Sequence, residues 1–228
     1  MSDHEGSLEP LIKMRSNQIE NYKQTLKLSK LQKEVLVGTL LGDGCLETQN
    51  NGRTYRLKIE HSLQQKDYVD WKYKVFSNWV LTKPKIREYS TYGLERNNYR
   101  FSTVSDGSFR FYAQQFYKNG KKVIPKLIYR LITPLALAVW FMDDGSIKSS
   151  QHKALVIHSQ SFTKSDLQRI IKVLEGKFGI KSVLRKRQNG SGYVICLLSE
   201  TIDKFISLVG KHILPTMRYK LGTKLPKR

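Results

Sequence analysis

Two aspartates, Asp43 and Asp144, are the residues of this chain whose type and spacing could do chemistry. Each closes an apolar stretch and is followed at once by glycine: LVGTLLGDG over Leu36–Gly44 and LAVWFMDDG over Leu137–Gly145. The helix dipole disfavours a carboxylate at a helix C-terminus by up to about 1 kcal/mol, and two carboxylates side by side repel each other further. Because a bound divalent cation removes both costs, the repeated motif predicts a metal site.

The expected metal is Mg²⁺, with Mn²⁺ as a substitute. Carboxylates with few soft ligands nearby suit Mg²⁺, which keeps several waters and also takes phosphate oxygens. Such a site can activate a water and stabilise the leaving oxygen of a phosphodiester. A single Asp-Gly can be no more than a turn that closes a buried helix, but two copies in equivalent places favour the metal site.

The two apolar stretches are expected to be buried helices that pack on each other at the centre of the molecule. A helix that is apolar nearly all round is buried, and close approach needs small side chains, here Gly38, Gly42, Ala136 and Ala138. A glycine just past a helix is the usual left-handed cap, which is the conformation expected at Gly44 and Gly145.

The repeated pattern Leu-x-Gly-x-x-x-x-Asp-Gly resembles the LAGLIDADG homing endonucleases of the single-chain type. The resemblance runs from about Leu31 to Leu221, and Val139 departs from it where the family name has glycine, which we expect to loosen the helix contact. It implies that the motif aspartates bind the catalytic metals, and it assigns further active-site roles to the backbone carbonyls of Gly42 and Asp143 and to the side chains of Lys122 and Lys220.

The chain order predicts an α+β fold of two pseudo-symmetric αββαββα halves, with antiparallel sheets that form a DNA-binding saddle. The expected divisions are an N-terminal extension (1–29), a first half (30–117), a linker with a basic segment (118–133) and a second half (134–228). The predicted helices span 17–29, 30–43, 66–81, 108–117, 137–144, 163–178 and 201–209. The predicted strands span 46–49, 53–62, 86–89, 99–104, 146–150, 154–160, 181–187 and 192–198. Ser29 and Thr163 are expected to cap helices, and Asn51-Gly52 to form the tight turn between the first two strands. The expected apolar face of helix 66–81 consists of Tyr68, Trp71, Val75 and Trp79.

The dipeptide His158-Ser159 echoes His61-Ser62. We therefore expect both histidines at matching places on strands, as sheet or DNA-facing residues rather than general bases. Two histidines with no cysteine or third histidine nearby make a poor zinc site.

Charge indicates a polyanionic partner. The chain carries 40 Lys and Arg against 19 acids, for a net charge of +21 and a pI of about 9.9. Alternating polar residues on predicted strands suit the DNA major groove, although a solvated sheet face would show the same alternation. The candidate DNA-binding residues are Arg53, Arg56, Lys58, Lys85, Arg87, Arg100, Lys148, Lys153, Arg185 and Arg187.

Other classes of protein find less support. No apolar run reaches the roughly 18 residues of a membrane span, and the N-terminus has no signal-peptide core. Cys45 and Cys196 suggest neither a disulfide framework nor a zinc site. We expect an intracellular monomer, in the cytoplasm or in the matrix of a mitochondrion or chloroplast.

The resemblance implies a Mg²⁺-dependent endonuclease that cuts double-stranded DNA at a long target, which is asymmetric because the halves differ. One alternative is an intron RNA maturase, or another non-cleaving nucleic-acid binder, on the same fold. Another is a transcription regulator, but that would normally carry an added helix-turn-helix domain, for which we see no room beyond the first 30 residues.

Overall fold

The computed structural model describes residues 16–91, 93–149, 154–187, 190 and 192–222. Lys153, one of the candidate DNA-binding residues, lies outside this part of the chain. No helix among the described residues is long and apolar enough to cross a membrane.

The two motif helices, α2 (Lys30–Leu41) and α6 (Pro134–Asp144), form the centre of the core, as predicted. A Cβ atom added at Gly38 would lie 2.6 Å from Cβ of Val139 and would also collide with the carbonyl oxygen of Ala136. One added at Gly42 would lie 2.7 Å from Cγ of Asp143. The helices therefore approach so closely that these positions accept only glycine. Val139 is fully buried opposite Gly38, so glycine on one helix offsets valine on the other.

Side chains define the start of each motif helix. The Ser29 hydroxyl accepts a hydrogen bond from the Gln32 N–H, and the Gln32 side chain accepts one from the Ser29 N–H, which completes the predicted cap as a capping box. At α6 the Thr133 hydroxyl accepts a hydrogen bond from the Ala136 N–H, and Pro134 occupies the first turn, where its missing N–H is not needed. Both starts are therefore set by local sequence.

The prediction of left-handed caps at Gly44 and Gly145 is wrong. Gly145 has φ −79° and ψ 149°, an extended conformation, and Gly44 does not have positive φ. The physical reason is that the chain passes from each motif directly into a strand. Glycine is needed there for space instead: a Cβ at Gly44 would collide with the Thr39 side chain, and one at Gly145 with Phe141.

Both halves have the predicted order of helix, two strands, helix, two strands and helix. In the first half α2 is followed by β1 (Cys45–Glu47), β2 (Arg56–Ser62), α3 (Lys66–Val75), β3 (Lys85–Thr91), β4 (Leu94–Ser102) and α4 (Arg110–Phe116). In the second half α6 is followed by β7 (Gly145–Ser149), β8 (Ala154–His158), α7 (Lys164–Phe178), β9 (Ser182–Lys186), β10 (Tyr193–Leu197) and α8 (Ile202–Val209).

The two sheets have the same topology. Their strand orders are β1-β2-β4-β3 and β7-β8-β10-β9, and all neighbouring strands are antiparallel. In β2 the side chains of Leu57, Ile59 and His61 are buried, while those of Arg56, Lys58 and Glu60 face outward. Asn51 and Gly52 both have positive φ, as expected for the predicted Asn-Gly turn before this strand.

The strand register shows that the two His-Ser dipeptides do not match. Gly145 pairs with Ile157, whereas Cys45 pairs with Lys58, which sets Gly44 opposite Ile59. Ile59 and Ile157 are therefore equivalent, and the counterpart of His61 is Ser159 rather than His158. Because a shift of one residue reverses the face of a strand, His61 is buried and His158 is exposed.

The segments outside the halves were predicted less well. The chain begins with α1 (Ser16–Thr25), near the predicted helix 17–29. Between the halves lie β5 (Tyr117–Lys118) and β6 (Lys121–Lys122), an unpredicted two-stranded hairpin, and the short helix α5 (Ile128–Leu131). Within the second half, a 3₁₀ helix over Pro215–Leu221 that was not predicted follows α8. β6 and this 3₁₀ helix carry the two candidate active-site lysines.

The substitution Gly38→Ala tests the close helix contact. We expect it to lower the free energy of unfolding by about 1–3 kcal/mol, because the added methyl group has no space between α2 and α6. Gly176→Ala on α7 is the matched control, since its added methyl group meets nothing within 4 Å and should stabilise the helix by about 0.5–1 kcal/mol. Urea denaturation of both variants measures the difference, and equal tolerance of the two would contradict the packing described.

Candidate active site between the motif helices

The structure brings the two motif aspartates to one place. Asp43 lies two residues beyond α2, with a side chain that is 49% exposed, and Asp144 is the last residue of α6. Burial and then the charge of Asp43 raise the pKa of Asp144 to about 8. Burial, followed by the charge of Asp143, also raises the pKa of Asp43. A carboxylate whose pKa is raised by burial and by a neighbouring carboxylate marks a site that favours an added cation.

The two predicted lysines also reach this site. Nζ of Lys122 donates a hydrogen bond of 2.5 Å to the carbonyl oxygen of Gly42, and Nζ of Lys220 donates one of 2.8 Å to that of Asp143. Each lysine therefore binds the carbonyl of the residue that precedes a motif aspartate. Burial lowers the pKa of both lysines, although the nearby aspartates oppose the shift.

Asp143 lies in a different environment from its neighbour Asp144. Its carboxylate is fully buried, fills the space above Gly42 and accepts hydrogen bonds from Nζ of Lys72 (2.9 Å) and from the backbone N–H of Asp43 (3.2 Å). Burial alone would raise the pKa of Asp143, but the charges and hydrogen bonds of its partners, above all Lys72, hold that pKa below its usual value. Asp143 is therefore a buried carboxylate with a buried counter-ion.

His61 lies between Lys72 and Asp43. Its Nε2 is 3.4 Å from Nζ of Lys72, and its Nδ1 is 3.6 Å from Oδ2 of Asp43. Burial and then the charge of Lys72 lower the pKa of His61 to about 4, so the imidazole is neutral at neutral pH. The hydroxyl of Tyr68 donates to the carbonyl oxygen of Val139, and its ring lies 4.3 Å from Nζ of Lys72.

Lys72 is the site residue that the sequence reasoning missed. The predicted apolar face of α3 was Tyr68, Trp71, Val75 and Trp79, yet Lys72 is fully buried while Trp71 and Val75 are only half-buried. The available signal was its spacing, three residues after Val69 and four after Tyr68, which puts a lysine on the buried face. A lysine is almost never buried unless it is paired, so this position required an acidic partner.

The donor atoms at this site fit a hard divalent cation. They are the carboxylates of Asp43 and Asp144 and the carbonyl oxygens of Gly42 and Asp143, all of them oxygens of the kind that Mg²⁺ binds. A carbonyl oxygen has two lone pairs, so both carbonyls can bind a cation beside their lysine. A second group, Asp43, His61 and Asp143, has potential ligand atoms within 4.8 Å of one another.

The predicted DNA-binding residues lie on or beside the outward faces of the two sheets. In the first sheet Arg56 and Lys58 pair with Glu47 at 3.0 and 3.2 Å, and Glu60 lies within 4 Å of charged nitrogens of further basic residues. The predicted DNA-binding residues of the first half are Arg53 in the turn, Arg56 and Lys58 on β2, Lys85 and Arg87 on β3, and Arg100 on β4. Those of the second half are Lys148 on β7, Arg185 on β9 and Arg187 directly after it.

Comparison with known proteins agrees with this arrangement. The model of the LAGLIDADG DNA endonuclease family matches residues 33–205. A solved structure, the homing endonuclease I-WcaI bound to its DNA recognition sequence, superposes with a TM-score of 0.86 and 30% sequence identity, covering 92% of this chain and 96% of that one. The two halves, their sheets and the paired motif helices thus define a protein of the homing endonuclease fold.

Similar sequences lead to the same family. A probable intron-encoded endonuclease 1 from Wickerhamomyces canadensis is 32% identical over 213 residues, which is 90% of each chain. The cytochrome b mRNA maturase bI2 from Debaryomyces hansenii is 29% identical and covers 95% of this chain and 83% of its own length. The chain belongs to the LAGLIDADG DNA endonuclease family.

The raised pKa of Asp144 predicts a pH dependence of stability. Between its ordinary pKa of 3.8 and about 8, the folded protein holds a proton that the unfolded chain has released. Since the folded state then binds more protons, the free energy of unfolding falls as the pH rises, by at most roughly 1.4 kcal/mol per pH unit for one group. The pKa of Asp43 is raised too and acts in the same direction.

The window from pH 6.5 to 8 lies above most of the range in which the lowered pKa of His61 has the opposite effect. Comparison with Asp144→Asn then removes the effects of the groups that both proteins share, including the lysines whose pKa values are lowered. Urea denaturation of the metal-free protein across this window is expected to show falling stability in the wild type and a flatter dependence in Asp144→Asn. Identical slopes in the two proteins would contradict the raised pKa.

Proposed function

We propose that this protein is a site-specific endonuclease that hydrolyses both strands of a long, asymmetric double-stranded DNA target with Mg²⁺. The observation that carries the proposal is the convergence of Asp43 and Asp144 from equivalent motifs in the two halves. Each motif has a lysine beside it, so the site would hold one set of catalytic groups for each of the two DNA strands. Mn²⁺ is the expected substitute metal.

The proposed roles of the residues follow from their positions. Asp43 and Asp144, with the carbonyl oxygens of Gly42 and Asp143, would hold the metal, which supplies an activated water and stabilises the leaving oxygen of the phosphodiester. Lys122 and Lys220 present ammonium groups beside these ligands, where they would offset the charge that develops on the scissile phosphates. Burial lowers the pKa of both lysines, so each would release its proton more readily than a lysine in water.

The outward faces of the two sheets are the proposed DNA-binding surface. Equal topology in the halves lays two antiparallel sheets beside one central site, which would form a saddle along a duplex. The net charge of +21 would supply much of the affinity through phosphate contacts. The two faces carry different side chains, so the preferred target would be asymmetric.

The further organisation of the chain is part of the proposal. Both motifs lie in one chain, so a monomer would carry a complete site. The proposed divisions remain an extension (1–29), two halves (30–117 and 134–228) and a linker between them (118–133). An organelle matrix or the cytoplasm is the proposed compartment.

Cleavage of a randomised duplex library, followed by sequencing of the ends, tests the activity. The wild type with Mg²⁺ is expected to cut a single family of targets. Asp43→Asn and Asp144→Asn are expected to bind the recovered target but to cut it no faster than metal-free wild type, because each removes a metal ligand. An uncut library, or a variant as active as the wild type, would contradict the proposal.

The salt dependence of binding tests the surface. Arg185→Ala removes an exposed charge from β9, and we expect weaker binding and a log-log salt slope that is shallower by about 1. Lys74→Ala is the control, because Lys74 is exposed on α3 rather than on a sheet. Fluorescence anisotropy between low and physiological salt measures both slopes, and an equal change in the two variants would argue against a role of this sheet.

RNA binding is a second candidate function, favoured by the similarity to a cytochrome b mRNA maturase. The same basic faces would then bind a folded intron RNA with or without DNA cleavage. Comparing the affinity for the intron RNA that surrounds the gene with the affinity for the recovered duplex separates the two. Tighter binding to RNA, together with splicing assistance in vitro, would favour the maturase.

A further inference from the structure

A buried chain of polar side chains connects the two motifs through the first half. The Asp143 carboxylate accepts a hydrogen bond of 2.9 Å from Lys72, Lys72 lies 3.4 Å from Nε2 of His61, and Nδ1 of His61 lies 3.6 Å from Oδ2 of Asp43. The side chains of Lys72 and Asp143 are completely buried, and that of His61 is 3% exposed. This series of polar side chains thus ends at Asp43, the motif aspartate that is exposed to solvent.

The chemistry of lysine decides the tautomer of His61. A lysine ammonium has three donors and no acceptor. Nε2 of a neutral His61 must therefore act as the acceptor toward Lys72, which leaves the ring proton on Nδ1. Nδ1 lies on the side of the ring that faces Asp43, 3.6 Å from its Oδ2, and the side chain of Gln65 also bonds the ring. The buried ammonium of Lys72 therefore fixes an N–H donor of His61 beside Asp43, a candidate metal ligand.

The second half has no equivalent chain. By the strand register the counterpart of His61 is Ser159, whose hydroxyl donates to the carbonyl oxygen of Tyr193. Buried residues of α3 at 68, 69 and 72 match those of α7 at 166, 167 and 170, so the counterpart of Lys72 is Ile170. Neither Ser159 nor Ile170 carries a charge that could act on Asp144.

Asp144 is held in another way. Nε1 of Trp140, four residues earlier on α6, donates a hydrogen bond of 3.1 Å to its Oδ2. The residue four positions before Asp43 is Thr39, which is fully buried and whose hydroxyl has no hydrogen-bond partner among the described residues. The first motif therefore has no counterpart of the hydrogen bond from Trp140 to Asp144. Within the described part of the chain, the one ring N–H beside Asp43 is that of His61.

We propose that Lys72 is a positioning residue that acts through His61 on the Asp43 carboxylate. One motif aspartate is oriented by a buried cation and a histidine, and the other by an indole. Partners behind a metal ligand fix its orientation and change metal affinity or activity by about ten- to a hundredfold when they are removed. Because only Asp43 has this support, its loss affects the two strands of a duplex unequally, a consequence that rests on the proposed endonuclease function.

The direct readout is the tautomer of His61 in the full-length, metal-free protein. NMR of the protein labelled with ¹⁵N in its imidazole rings, with the His61 signals assigned from His61→Asn, is expected to show a protonated Nδ1 and an acceptor Nε2. The test variant is the double substitution Lys72→Met with Asp143→Asn, which leaves no unpaired buried charge. In it Nε2 loses its donor, and the ring is expected to shift toward the tautomer with the proton on Nε2.

The second readout is the nicking rate of each strand of the recovered target. The double variant is expected to slow one strand about ten- to a hundredfold more than the other, whereas the control Lys74→Met keeps the wild-type ratio. The single variant Asp143→Asn removes the carboxylate but keeps Lys72, so it shows which of the two charges determines the tautomer. It is expected to keep the wild-type tautomer.

Three results would each overturn the proposal. The first is a wild-type His61 with its proton on Nε2, and the second is a double variant that keeps the wild-type tautomer. The third is a double variant that slows both strands equally. A wild type that cuts no DNA defeats the proposed function but leaves the NMR result intact, so the two failures are distinguishable.

Discussion

The close approach of α2 and α6 is the contact on which the rest of the structure depends. At Gly38 the carbonyl oxygen of Ala136 and the side chain of Val139 leave no room for a Cβ atom, and at Gly42 the side chain of Asp143 leaves none. Residues 35–41 of α2 and 135–143 of α6 are buried, and the same approach brings the ends of both motifs together. Each half then presents its sheet on its own side of a shared centre. A wider spacing would separate the carboxylates and leave each one an isolated acid at the end of a helix.

Bringing the acidic residues together is electrostatically unfavourable, and three lysines reduce this cost. Lys122 and Lys220 bind the carbonyl oxygens beside the motif aspartates, and Lys72 neutralises Asp143 within the core. Burial, and after it the remaining repulsion between carboxylates, raises the pKa values of Asp43 and Asp144. Breaking a buried pair such as Lys72 with Asp143 by removing one partner is strongly destabilising, so this pair also joins the first half to the second.

Much of the fold was predictable because local sequence determines it. The capping residues Ser29 and Thr163, the turn Asn51-Gly52 and the alternation of β2 were all recognised from short patterns and are confirmed. The boundaries that were wrong depend on tertiary contacts. α3 ends at Val75, and a 3₁₀ turn at Ser77–Trp79 completes the segment that was predicted as helix to residue 81.

The site was predictable in its main residues but not in its asymmetry. Asp43, Asp144, Lys122 and Lys220 follow from the family resemblance, and the structure brings all four together, although their roles stay a prediction. The burial of His61 was not predicted, because the likeness of His61-Ser62 and His158-Ser159 hid a one-residue shift that only strand pairing reveals, and Lys72 was indicated only by its spacing on α3. Which lysine is buried likewise depends on a partner, Asp143, in the other half of the chain.

The central claim, that both motif aspartates build one metal-dependent site, is tested most directly by anomalous diffraction from crystals of the protein grown with its target duplex and Mn²⁺. The account predicts anomalous density bounded by the carboxylates of Asp43 and Asp144 and by the carbonyl oxygens of Gly42 and Asp143. Manganese bound only elsewhere on the protein, or an ion that contacts neither motif aspartate, would contradict it.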